Sequence, residues 1–417
     1  MEIKRDLYLQ RLINRQHNRM IKVITGIRRC GKSYLLFNIF YQYLREQGIA
    51  VDHIIRIALD DRLSRKYRNP DVLCDYVYSQ IKDKQMYYIM LDEVQFVSEF
   101  EDVLNSFLHI PNADVYVTGS NAKFLSKDVI TEFRGRGDEI KLYPLSFREF
   151  TSAFDGSPQR ALDEFMTFGS LPQILSLSTD EQKSSYLKNL FTETYLTDIK
   201  DRYQIRHDAE LEELINIISS SIGSLTNPHK LSNTFQSVKN VKIDHVTIKS
   251  YLDYLCDSFL VEKALRYDIK GKRYIDTPAK YYFSDIGLRN ARLNFRQDER
   301  THLMENVVYN ELRCRGLNVD VGVVPITYTE ESGVRRKTQL EIDFVCNQGG
   351  RRYYVQSAYH IDSDEKRRQE QASLLKVNDS FKKIVVVGDD IAIHRNEAGI
   401  TTMSIFDFLL NENSLDL

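Results

Sequence analysis

The sequence predicts an α/β protein whose first part is built on a parallel sheet, and three observations predict it. Over residues 1–155, short apolar runs of strand length alternate with amphipathic stretches. Those runs are uniformly apolar, as in strands covered on both faces. The first of them leads directly into a glycine-bounded loop and then a helical stretch, Gly26-Ile27-Arg28-Arg29-Cys30-Gly31-Lys32-Ser33-Tyr34.

In chain order the runs are Ile21–Thr25, Ile54–Leu59, Tyr87–Leu91, Val115–Thr118 and Ile140–Tyr143, each rich in Ile, Val or Tyr and bounded by polar turns. Residues 156–206 read as a helical linker or lid, broken once at Gly169-Ser170-Leu171-Pro172. From 207 to 292 the order is a helix (Glu210–Ile222), a segment Leu231–Val238, a turn, a helix from about Asp244 to Phe259, and a hairpin with Gly271 at its basic tip. That order suits a winged helix, and helical spacing puts Ile248, Tyr251, Leu252, Leu255 and Phe259 on one face. Residues 293–417 open with a helix (Thr301–Arg313). Strand-like runs follow at Glu341–Cys346, Arg352–Ala358 and Lys383–Val387, with a charged helix around Asp364–Val377, as in a small α/β domain.

Composition bounds the rest. The 417 residues are enough for several domains, and 42 % apolar with 28 % charged residues is ordinary for a globular chain. A net charge of −2 excludes a wholly basic nucleic-acid binder and leaves room for a local basic patch. No apolar run approaches the length of a membrane span, and the charged start MEIKRD does not suit a signal peptide. Five scattered cysteines (Cys30, Cys74, Cys256, Cys314, Cys346) form no CxxC pair, so neither a disulfide framework nor a zinc knuckle is expected and a cytoplasmic setting is.

The chemistry concentrates in two places. Gly26 to Ser33 satisfies GxxxxGK[ST] in the required strand–loop–helix context. Glycines let backbone N–H groups turn onto phosphates, and the helix start that follows favours negative charge. Lys32 is expected at the β/γ-phosphates of ATP and the Ser33 hydroxyl on Mg2+. The apolar run at Tyr87 then ends in two acids, Asp92 for the Mg2+ shell and Glu93 to polarise the attacking water. Val115-Tyr-Val-Thr-Gly-Ser120-Asn121 ends another strand in small polar residues, either of the last two suited to the γ-phosphate or the water, or simply to capping a helix. Arg134 and Arg136 sit on a glycine-flexed loop, either one suited to act as a finger on a neighbouring subunit's nucleotide.

Taken together, these runs resemble prokaryotic AAA-type ATPases of the fused ATPase–DUF4143 family. TGIRRCGKS, LDEVQ, TGSN and RGRGDEIKLYPLSFREF carry the resemblance, as do GSLPQIL, KYYFSDIGLRNA and ENVVYNELRCRG, so it covers nearly the whole chain. It implies a P-loop NTPase with strand order 5-1-4-3-2, nucleotide roles for Lys32, Ser33, Asp92 and Glu93, and a finger in the RGR loop that would act between copies of a homo-oligomer. For the C-terminal region it implies a winged helix followed by a PD-(D/E)XK nuclease-like, restriction-endonuclease-like domain.

In that nuclease fold the helix acid would be Glu305 (or Glu311) and the strand acid Asp343, together a vestigial metal site. Gln356 stands where a second carboxylate belongs and Ala358 where the lysine belongs, so a degenerate site is expected. A winged helix invites DNA, and Lys239, Lys242, Lys249, Lys270, Lys272 and Arg273 suit phosphates, with Arg335, Arg336, Lys337, Arg351 and Arg352 adding basic character to the last domain. Asp244, Asp253 and Asp257 on the would-be reading helix suit a protein partner instead. The expected function is an ATPase whose cycle repositions its C-terminal domains. A nucleotide-gated binding module and an ATP-dependent DNA nuclease are the alternatives.

Overall fold

The structure, a computed structural model, describes residues 3–119, 133, 135–205, 208–239, 242–297, 299–329 and 335–417. It divides into two compact units. The first is residues 1–144 with 171–173 and 257–259, and the second is 145–170, 174–256 and 260–417.

The first unit is a parallel sheet with helices. After α1 (Asp6–Ile13) come β1 (Ile21–Thr25) and then α2 (Lys32–Tyr34), which passes through a π-helical stretch (Leu35–Phe40) into α3 (Tyr41–Glu46). β2 (Ile54–Ala58), α4 (Pro70–Gln80), β3 (Tyr87–Asp92), α5 (Phe100–Phe107), β4 (Ala113–Thr118) and β5 (Gly137–Lys141) follow. The strands hydrogen-bond in the order β2-β3-β4-β1-β5, every neighbouring pair parallel. This is the expected P-loop order, and it brings the carboxyl ends of all five strands to one edge.

Burial of β1 and β3 is complete along their lengths. Even Lys22 is fully buried, which is tolerated because its ammonium pairs with Asp114 on β4, itself accepting from the Tyr116 hydroxyl at 2.7 Å. Burial lowers the Lys22 pKa below its usual value, with Asp114 pulling the other way. The last strand starts three residues earlier than its apolar run suggests. Gly137 pairs with Ile21, and Glu139, on the exposed side, accepts from the Thr25 hydroxyl at 2.6 Å.

The second unit begins with α6 (Phe147–Ala153), α7 (Pro158–Phe168), α8 (Asp180–Asn189), α9 (Thr197–Tyr203), α10 (Asp208–Ser220), α11 (Pro228–Lys239) and α12 (His245–Asp257). As the spacing requires, α12 buries Ile248, Tyr251, Leu252 and Leu255. Then come β6 (Val261–Asp268), β7 (Arg273–Phe283), α13 (Ile286–Arg292), α14 (Arg300–Cys314), β8 (Asn318–Thr329), β9 (Arg335–Gln348), β10 (Arg351–Ala358), α15 (Asp364–Leu375), β11 (Lys382–Val387), β12 (His394–Arg395), β13 (Ile400–Ser404) and α16 (Ile405–Leu410).

These strands make one sheet, ordered β12-β13-β11-β10-β9-β8-β6-β7. The hairpin β6–β7, expected as a free wing, is therefore an edge of this sheet, because β6 pairs in parallel with β8 (Arg266 with Val321). The expected boundary at 292/293 runs through a continuous hydrogen-bonded layer. Strand β8 itself was not legible, since Gly322 and Pro325 argue against a strand. Gly322 lies at a register shift between β8 and β9, where an added Cβ would come within 2.8 Å of Val345 and 2.9 Å of Ile342. Close packing there requires glycine.

Two of the family-like runs, GSLPQIL and KYYFSDIGLRNA, meet in this unit. Asp285 caps α13, its Oδ1 accepting from Leu288 N at 3.0 Å, while its Oδ2 accepts from Ser170 N at 2.8 Å. The Asn290 amide donates to the carbonyls of Met166 and Thr167, both at 2.9 Å. A Cβ on Gly287 would lie 2.0 Å from the Phe168 carbonyl oxygen. No helix among the described residues is long and apolar enough to cross a membrane.

Because Asp285 is 1 % exposed and serves both helix cap and loop, Asp285→Ala leaves buried N–H groups unpaired and should cost roughly 2–4 kcal/mol. Chemical denaturation of the two proteins side by side measures it.

Candidate functional site

At the carboxyl edge of the first sheet, the end of β1 turns sharply at Gly26 (φ +141°), where a Cβ would lie 2.1 Å from the Leu142 carbonyl oxygen. Gly31 (φ +99°) and Arg29 (φ +66°) are also left-handed, and this curls residues 26–31 into a cradle ahead of α2. Lys32 is buried with its Nζ inside the curl, donating to the carbonyls of Gly26 (3.0 Å) and Ile27 (3.2 Å). Arg29, Ser33 and Tyr34 are exposed, whereas Ile27 and Cys30 are buried and Arg28 is half-buried. Cys30 turns away from the cradle, its Sγ donating to the Leu142 carbonyl at 3.6 Å, and burial pushes its thiol pKa up.

Asp92 and Glu93 stand beside the loop at the end of β3. Burial raises the Asp92 carboxyl above the usual range, while the hydrogen bond from Thr118 and the nearby Ser33 hydroxyl pull it back down. The P-loop hydroxyl thus lies beside the strand carboxylate. A hard divalent ion takes oxygen donors of this type, so Ser33 and Asp92 fit Mg2+. Glu93 is half-exposed in a left-handed conformation (φ +52°), an unusual backbone for a residue with a side chain.

Three further residues belong to the site. Thr118, at the end of β4, donates its hydroxyl to Asp92 and accepts from Glu93 N at 3.0 Å, so one side chain steadies both acids. Gln95 donates its amide N–H to the Glu93 carboxylate, and among the described residues its buried Oε1 meets no hydrogen-bond partner. Arg5, 4 % exposed, donates to the Cys30 carbonyl of the loop (3.2 Å) and to the Tyr143 carbonyl (2.8 Å). Thr118 and Gln95 lie inside runs the sequence had marked, TGSN and LDEVQ. No local pattern points to Arg5, far upstream of the loop it braces.

Ser120, Asn121 and Arg134 lie outside the described residues. Arg136 is exposed at the start of β5, its carbonyl accepting from Ile21 N, the first residue of β1. The five residues of β1 span about 16 Å, so Arg136 begins at the opposite end of the sheet from this chain's own P-loop.

The C-terminal acids also converge. Glu305 on α14 and Glu341 on β9 share one cation, Lys280 Nζ, at 2.9 and 2.8 Å. The Tyr282 hydroxyl donates to Glu305 at 2.6 Å, and Asp343 accepts from Ser357 N at 2.8 Å. Glu311, the other helix acid considered, is engaged elsewhere, with Arg315 at 2.7 Å. Burial alone would raise the Glu305 carboxyl, but the Lys280 charge, the nearby His302 imidazole and the hydrogen bond from Tyr282 hold it below the ordinary range. Asp343 goes the other way, pushed well up by burial and by the neighbouring Glu305 charge.

Gln356 and Ala358 do not rebuild a metal site. The Gln356 amide spans Asp343 N and Glu370 at 3.3 Å each, and Ala358 is buried in the core. Of the basic residues suited to DNA, Lys242, Lys249 and Lys272 are exposed. Lys270 donates to the Pro325 carbonyl at 2.9 Å, and Arg273 faces Asp268 at 3.6 Å. Nothing is described of the Lys239 side chain.

A parallel sheet in this order, with a glycine cradle and acid-tipped neighbour, defines a P-loop ATPase domain of the AAA type. Comparison with known proteins agrees. The family described as "AAA domain" (AAA_14) matches residues 18–151, and two domains of unknown function, DUF8612 and DUF4143, match 159–299 and 300–408. A protein of Haemophilus influenzae, described as an uncharacterized protein, is 33 % identical over 414 residues, 98 % of either chain. An uncharacterized protein of Methanocaldococcus jannaschii is 26 % identical across 93 % of this chain and 86 % of that one. The solved Walker-type ATPase of Pyrococcus abyssi shares the fold with a TM-score of 0.50 at 14 % identity, over 70 % of this chain and 96 % of that one. This chain belongs to the fused AAA ATPase–DUF4143 family.

The burial of Cys30, Cys314 and Cys346 against the half-buried Cys74 and Cys256 predicts the alkylation pattern. Iodoacetamide on the native protein should label the second pair faster by roughly tenfold or more. Peptide mapping by mass spectrometry reads it directly.

Proposed function

We propose that the protein binds Mg2+–ATP in the cradle at Gly26–Ser33 and hydrolyses it, and that turnover drives rearrangement of the DUF4143-containing unit. The observation that carries this reading is the Thr118 bridge, which donates to Asp92 and accepts from Glu93 N, with the Ser33 hydroxyl beside the same carboxylate. It joins the P-loop hydroxyl, the strand carboxylate and the acid suited to water activation in one constellation.

Lys32, held within the loop by two carbonyls, meets stronger acceptors in the β/γ-phosphate oxygens. Ser33 and Asp92 hold the Mg2+, which when bound neutralises phosphate charge. Glu93 takes up proton density from the attacking water, and Thr118 fixes its backbone through the peptide N–H. Gln95 clamps the Glu93 carboxylate from one side and offers Oε1 as a second acceptor beside it. Residues of the RGR loop, Arg134 and Arg136, stabilise transition-state charge from a second copy. The position of Arg136 at the far end of the sheet supports action between chains rather than within one.

Three substitutions test these roles. Lys32→Ala should abolish nucleotide binding in calorimetry. Glu93→Gln should bind nucleotide at wild-type affinity and lose turnover by about 10²-fold or more. Gln95→Ala should lower kcat by roughly tenfold with KM unchanged, as expected for a residue that only orients the base. Tight binding by wild-type protein with no turnover above background would instead make the chain a nucleotide-gated binding module. ATPase activity titrated with duplex DNA at two salt concentrations sorts the partner, since stimulation through phosphate contacts fades as salt rises.

A further inference from the structure

The acids of the DUF4143-containing unit pose a physical problem of their own. Glu305 and Asp343 are buried, with the partly exposed Glu341 beside them, and buried carboxylates without compensation are costly. In a carboxylate cluster of this kind a divalent ion usually supplies the compensation. Here a side chain does. We infer that Lys280 is the resident cation of this cluster, so that the site is an ion-pair network that takes no divalent metal and performs no metal-dependent phosphodiester hydrolysis.

The geometry is built for this. Lys280 is 4 % exposed and comes from the buried end of β7. Strand alternation puts Lys280 and Tyr282 on one face of that strand, and both reach the same Glu305 oxygen. Alternation likewise sets Glu341 and Asp343 together on β9. An ammonium has three donors, and two of them are placed here, on Glu305 and Glu341.

Two flanks of the buried acids are filled. Gly223 (φ +70°) roofs Glu305 so closely that a Cβ would lie 3.2 Å from both carboxylate oxygens. On the other flank Asp343 accepts from Ser357 N, and the Gln356 amide is spent on Asp343 N and Glu370 instead of offering an oxygen to a cation. The lost carboxylate at Gln356 and the lost lysine at Ala358 are therefore matched by a lysine arriving from a different strand, which changes the cluster from a metal centre into a packing element.

Thermal unfolding of the full chain without nucleotide, in EDTA and in millimolar Mn2+, tests this. Wild-type protein should melt at the same temperature in both. Lys280→Ala should melt lower by roughly 5–10 °C, and Mn2+ should restore part of the loss, because removing the ammonium opens a carboxylate site. Adding Asp343→Asn to that variant should abolish the rescue. Lys280→Arg, which keeps the charge, should remain indifferent to Mn2+ and covers the case in which the alanine variant fails to fold. Mn2+ stabilisation of the wild-type protein that Asp343→Asn removes would overturn the inference, as would a Lys280→Ala protein that Mn2+ leaves unchanged. The dependence on Asp343, and the absence of nucleotide, keep this result separate from the ATP site, whose failure would leave these melting curves as they are.

Discussion

One hydroxyl holds the nucleotide site together. Thr118 donates to Asp92 and accepts from Glu93 N, so two adjacent acids are oriented through the tip of the neighbouring strand. The parallel pairing of β3 with β4 makes this possible by ending both strands at the same edge. The P-loop supplies the third corner through Ser33. Remove the shared strand register and these groups have no reason to meet. The strained backbone at Glu93 is maintained by that network, as strained residues at functional sites generally are.

The two carboxylate clusters show how the same residue types serve opposite ends. At Asp92 the neighbours are hydroxyls, those of Thr118 and of Ser33 at the end of the P-loop. At Glu305 and Glu341 the neighbour is a buried lysine, with a glycine backbone overhead. Electrostatics in the two places differ accordingly: Asp92 is met by hydroxyls, Glu305 and Glu341 by an ammonium. Lys22 with Asp114 is a third instance, a buried pair that lets a lysine lie within the fully buried strand β1.

Much of the nucleotide site was legible because its chemistry is local. Gly26, Gly31, Lys32 and Ser33 are neighbours in sequence, and Asp92 and Glu93 end a run whose apolar pattern marks a buried strand. Thr118 and Gln95 were visible only as parts of runs, since their importance depends on which acid they face. Arg5 gave no signal, because a brace between a loop and a distant strand end leaves no periodicity. In the second unit, the helices were readable from spacing, as α12 shows. Strand β8 was hidden by Gly322 and Pro325, and the hairpin β6–β7 suggested a wing because hydrogen bonding at a sheet edge leaves no trace in either strand alone.

By itself, then, the sequence determined the α/β class, the phosphate cradle, the acids at the strand tip and the fused architecture, all of which are written in residues close together along the chain. Tertiary structure decided what the distant residues do. It joined the supposed wing to the last sheet, brought Asp285 to the Gly169-Ser170 turn, and carried Lys280 to Glu305 and Glu341. The physical reason is the same in each case. A buried polar group must find its partner in space, and nothing in the spacing of a sequence says which distant strand will deliver it.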